Sequence, residues 1–216
     1  MSSMTARSST VKEEVASASF EKFAGLSGIL AGVVHFLYAV AFVVISRSNP
    51  GLGGLLSALF LLLAGLLSMT ALTGLYQRLR QTEATFALYA LLLTTVCTLG
   101  AAIHGGYDLA NVINPPNAPD LNSLPSQIDP RGLLTFGIMG LALLVIAWLM
   151  GQSGEFPKNL SYWGYVLGVL LIIIYLARLI ILDPANPVLL WPVLIAGFVL
   201  NPGWYLWLGL ALWKRT

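Results

Sequence analysis

Charge is what this sequence has least of. Only 9% of its 216 residues are Asp, Glu, Lys or Arg, against about 25% in ordinary soluble domains. With 57% of residues hydrophobic, a soluble domain of this size could not cover its surface. The net charge of +2 excludes an extended basic surface for nucleic acid. Cys97 is the single cysteine, so no intrachain disulfide can form, and no Cys/His spacing matches a zinc site. Lysine is missing from the apolar runs: Lys12, Lys22, Lys158 and Lys214 all flank them. A Schiff base within the membrane is therefore excluded. There is no row of gating arginines, and no chain of carboxylates to relay protons. Serine-nucleophile motifs and glycine-rich phosphate loops are absent as well. These absences imply no cofactor and no catalytic constellation.

What remains is apolar sequence in long runs. A hydrocarbon core about 30 Å thick needs roughly 20 apolar residues per helix. Six stretches qualify, over residues 24–46, 53–76, 84–110, 132–151, 161–182 and 188–213. The expected fold is all-α, a polytopic bundle of six transmembrane helices in one domain. The breaks carry turn chemistry: Asn49-Pro50-Gly51, then Pro115-Pro116, then Asp183-Pro184-Ala185-Asn186-Pro187. The runs are continuous and about twice too long for barrel strands. Residues 1–23 read as a mobile, Ser- and Ala-rich tail, with a short interfacial helix near Val11, Val15, Phe20 and Phe23. The first run is too long for a signal-peptide h-region, which spans about 7–15 residues, and is expected to be a retained span. Residues 214–216 form a short C-terminal tail.

Six spans put both termini on one side. That side collects Arg7, Lys12, Lys22, Arg78, Arg80, Lys158, Lys214 and Arg215, while Arg47, Arg131 and Arg178 lie at the other. The imbalance predicts cytoplasmic termini, with the long loop 111–131 facing outward. Gly28/Gly32 and Gly164/Gly168 are small-xxx-small pairs that predict close helix packing or a partner interface. The expected partners are the lipid bilayer and, through these faces, other membrane proteins or a second copy of the chain.

Candidate chemistry gathers in His104-Gly105-Gly106-Tyr107-Asp108-Leu109-Ala110-Asn111. His104 and Asp108 share a helix face at i and i+4, and ionisable groups at a membrane core are functional candidates. Arg178, in the fifth span, matches their depth and is the expected partner of Asp108. In the alternative reading Arg178 snorkels to the headgroups and Asp108 merely ends a helix. His35 lies 13 residues beyond Lys22, about 20 Å along its helix, and His104 lies about 32 Å along the third. That offset of about 12 Å argues against bis-histidine haem ligation. Two histidines and one nearby carboxylate do not fill a metal's coordination sphere either. Asn201-Pro202-Gly203 predicts a kink or broken turn in the sixth span. His35 and Asn201 could share a midplane pocket there; equally, such kinks are ordinary in membrane helices, and a lone histidine there usually bonds a neighbour.

The text from Asn201 to Gly209 and the turn from Gly74 to Arg80, with the whole hydropathy profile, resemble uncharacterised bacterial six-pass integral membrane proteins of the domain-of-unknown-function type. The resemblance implies the inner (plasma) membrane of a bacterium. It carries no activity, cofactor or catalytic residue. Two functions are expected from the residues. The first is an accessory or scaffold subunit of a membrane assembly. The second is a small-molecule or lipid binder or transporter with a site near the outer leaflet, between helices 3, 5 and 6.

Overall fold

The computed structural model describes residues 2–115, 131–183 and 186–214, with side chains from Ser19 onward. Helix is the only regular structure among the described residues. Six helical stretches are long and apolar enough to cross a membrane: Ser19–Ser48, Pro50–Leu79, Ala84–Ile113, Leu133–Ser153, Lys158–Ile180 and Pro187–Trp213. This is a multi-pass membrane protein.

The span ends follow cap chemistry. α1 (Ser2–Ala39) passes into a π-helical stretch, π1 (Val40–Ile45), and the short α2 (Ser46–Ser48). Asn49 then caps α3 (Pro50–Leu79): its side chain accepts from the Leu52 N–H at 3.1 Å, with Pro50 at the first helical position. Glu83 caps α4 (Ala84–Ile113) by accepting from the Phe86 N–H. The fourth span starts in π2 (Leu133–Ile138) and continues as α5 (Met139–Ser153), which Gly154 ends at φ 65°. α6 (Lys158–Ile180) follows. The sixth span is α7 (Pro187–Ile195), π3 (Ala196–Leu200) and α8 (Asn201–Trp213), with Asn186 accepting from the Val188 N–H at 3.0 Å.

α1 begins at Ser2 and runs unbroken into the first span. No glycine or proline precedes Gly25, so nothing in the backbone interrupts helix. The chain also does not break at Asn201-Pro202-Gly203. It widens into π3 one turn earlier, where Pro202, lacking an N–H, cannot complete the α-helical ladder. The loop 111–131 lies mostly outside the described residues, as do residues 184–185 of the short turn and the last two of the C-terminal tail.

Each span packs against its neighbours in sequence, and the sixth closes on the first. Glycines set the tightest crossings. A Cβ on Gly28 would meet the Gly209 Cα at 2.8 Å, and one on Gly32 would meet the Pro202 carbonyl at 2.7 Å. Gly65 sits against Thr98 and Ala102, and Gly140 against the Gly168 carbonyl. Within the chain the Gly28/Gly32 face meets α8, Gly168 meets the Gly140 carbonyl, and Gly164 meets the Ala147 and Trp204 side chains.

The two halves of the bundle differ. Toward the termini it is solid. Leu72, Leu75 and Leu79 interlock with Ala87, Ala90, Ile146, Leu149 and Met150, and with Trp204, Leu208 and Leu212, all buried. Arg78, 6% exposed, donates to the Glu21 carboxylate at 2.8 Å and to the Leu212 carbonyl at 3.2 Å. It pins the first, second and sixth spans together. The opposite half is hollow.

Candidate functional site

A cavity of about 360 Å³ occupies the hollow half, and all six spans line it. That volume falls in the range of small-molecule sites, about 300–1,000 Å³. Ser57 and Ser68 on α3 are both lining residues eleven positions apart, as are Cys97 and Asp108 on α4. Each pair gives a depth of about 16 Å at 1.5 Å per residue.

The π-helical stretches border the space. Phe42 of π1, Thr135 and Phe136 of π2, and Ala196 and Gly197 of π3 all line the cavity. A π turn is wider than an α turn and re-aims the side chains around it, and such turns recur at functional sites. Three of them, on three spans, lie in the hollow half.

Charge sits at one end of the cavity. Asp108 accepts from Arg131 through Oδ1 at 2.9 Å, and its Oδ2 lies 3.2 Å from the His104 Nε2. The Arg131 guanidinium lies over the Tyr107 ring, 5.2 Å from its centroid. Arg178, in the last turn of α6, also lines this end and is exposed. Its guanidinium faces the Phe136 ring at 6.0 Å. None of the ion pairs among the described residues involves Arg178. Tyr38 is within electrostatic reach of both Arg178 and Asp108.

The floor is uncharged in formal terms and polar. His35 Nδ1 lies 2.8 Å from the Ala31 carbonyl, which can only accept, so Nδ1 carries the proton and Nε2 is the acceptor. The His35 ring stacks on Tyr205, centroids 4.8 Å apart and planes 11° from parallel. Asn201, Ser68 and Thr98 complete this level. Between floor and charged end the walls are Leu61, Ala64, Met139, Leu171 and Val193.

Five of the seven residues singled out in the sequence meet here: His35, His104, Asp108, Arg178 and Asn201. Tyr107 and Asn111 do not line the cavity, and Tyr107 acts on it through Arg131. The expected Asp108–Arg178 pair is replaced by Asp108–Arg131. Arg131 opens the fourth span at the same end of the bundle as Asp108. A depth comparison extended to residues that begin spans would have found it. Tyr38 and Tyr205 were also missed; nothing in an apolar run separates a cavity-facing tyrosine from a lipid-facing one.

Several hydroxyl groups and the thiol of the lining are already engaged. The Ser57, Thr98 and Thr135 hydroxyls donate to the Gly54, Thr94 and Arg131 carbonyls, and the Cys97 thiol to the Leu93 carbonyl. They are held by their own helices and are not poised as nucleophiles. Among the described residues no three His, Cys, Asp or Glu side chains converge as metal ligands would.

Fold and site define a six-span membrane bundle, solid toward its termini and hollow toward the other end. Comparison with protein-family models, with curated proteins and with solved structures finds no match.

Proposed function

We propose that this protein binds a small molecule within the membrane, in the cavity that all six spans surround. The observation that carries the reading is the cavity itself: about 360 Å³, apolar in its walls, with polar groups converging at its floor and charges at one end. Binding sites share that pattern of apolar lining with a few placed polar groups. The scaffold reading loses ground because the glycine faces it relied on are spent inside the chain.

Location and orientation belong to the same proposal. The excess of Lys and Arg on the terminal side supports cytoplasmic termini in a bacterial inner membrane. The charged end of the cavity then opens to the outer leaflet. With the terminal half solid, ligand enters and leaves by that one end.

The test is to fill the cavity. Ala101 lines it and is not fully buried, so Ala101→Phe adds a ring where a ligand would lie. The wild-type protein, gently solubilised and examined by native mass spectrometry, is expected to carry a co-purifying small molecule that Ala101→Phe lacks. Identical spectra from two equally well-folded samples would overturn the reading.

A further inference from the structure

The cavity's shape and charge narrow the ligand class, and the narrowing rests on the binding function proposed above. Of the formally charged lining residues, Arg131 and Asp108 neutralise each other at 2.9 Å. Arg178 keeps its charge, with an aromatic ring and no carboxylate beside it among the described residues. A guanidinium at a membrane-embedded site calls for an anion, and its planar fork suits a carboxylate or phosphate. Beyond it the cavity is long. It runs about 16 Å along the helices, and its lining is mostly apolar. At the far end the floor offers the His35 Nε2 acceptor and the Asn201 amide.

We infer that the cavity takes an elongated amphipathic monoanion, its acid group held by Arg178 and its apolar body lying along the Leu61, Ala64, Met139, Leu171 and Val193 walls, short of the polar floor. Two sources supply that chemistry: a free single-chain acid, or the headgroup and one chain of an anionic phospholipid.

The experiment uses the full chain in phosphatidylcholine nanodiscs. Dodecanoate and dodecanol, which differ in the acid group, are titrated against wild type, Arg178→Gln, Arg178→Lys and Ala101→Phe. Arg47→Gln serves as a control; Arg47 is exposed and outside the lining. A second set of nanodiscs contains phosphatidylglycerol.

Dodecanoate is expected to bind wild type at least about tenfold more tightly than dodecanol does. Arg178→Gln should weaken dodecanoate by about ten- to a hundredfold, the range for a charge-assisted hydrogen bond. Arg178→Lys should restore most of the loss, Arg47→Gln should change nothing, and Ala101→Phe should abolish both ligands. If phosphatidylglycerol, and not dodecanoate, raises thermal stability through Arg178, the anion site stands and a phospholipid is its source. Equal affinity for dodecanoate and dodecanol, indifferent to Arg178→Gln but lost in Ala101→Phe, overturns the anion inference and leaves binding intact. No binding of any probe, or binding unchanged by Ala101→Phe, overturns both.

Discussion

Arg78 and Asp108 are each paired across helices, at opposite ends of the bundle, and their surroundings make them unequal. Arg78 is 6% and Glu21 19% exposed, and the Arg78 guanidinium also serves the Leu212 carbonyl. Removing one partner of a buried pair strands the other charge. Arg78→Ala is expected to cost roughly 3 kcal/mol, or about 6–12 °C in Tm for a chain of this size. Asp108 and Arg131 are 39% and 31% exposed, and a pair so open contributes at most about 1 kcal/mol. Asp108→Ala should therefore shift Tm by no more than about 4 °C. Thermal unfolding of the solubilised variants, followed by circular dichroism, checks both values, and a reversed ranking would sink the argument. In the sequence these two residues looked alike in kind and unlike in promise. Asp108 stood out because it follows His104 by four; Arg78 read only as one of several basic residues at a helix end. Its burial depends on Glu21, fifty-seven positions away, and no local pattern carries that.

At the scale of elements, small residues and π turns divide the work. Gly28, Gly32 and Gly209 let the first and sixth spans touch backbone to backbone. The spacing of Gly28 and Gly32 was legible, and their partner was not: a small-xxx-small face says that something comes close without saying what. The structure assigns that something to α8 of the same chain. Gly28→Leu is consequently expected to destabilise the isolated chain, because the added side chain meets the Gly209 backbone, which cannot move aside. Size-exclusion chromatography with light scattering, together with thermal unfolding, distinguishes the cases. A lowered Tm without change in particle mass supports the intrachain contact; a stable chain with altered mass would refute it. The π stretches were invisible at this scale. Pro202 hinted at a local irregularity in the sixth span, and π3 fulfils it as a widening. π1 and π2 have no proline within them, and their apolar composition matches any membrane helix.

For the whole molecule, the decisive feature is the contrast between a packed half and a hollow half. Orientation gives the contrast its functional sense, and it can be tested directly. Cys97 is buried, so the native chain should react little with a membrane-impermeant maleimide. In intact cells such a reagent is expected to label Ser48→Cys, at the hollow end, and to leave Thr82→Cys, in the turn between α3 and α4, unmodified until the cells are opened. The opposite pattern would place the cavity mouth toward the cytoplasm. The sequence by itself determined that this chain is an all-helical, six-span membrane protein, because lipid forces every backbone polar group to be satisfied within its own apolar helix. That requirement is local, and composition and run length express it. It also marked five of the residues that meet in the cavity, because charged and polar side chains are costly in such helices. Which of them pair, which glycine faces remain free, and whether a space survives between the helices were decided only by tertiary structure. Those outcomes depend on how six apolar surfaces fit together, and a hydrophobic residue carries no label for the neighbour it will meet.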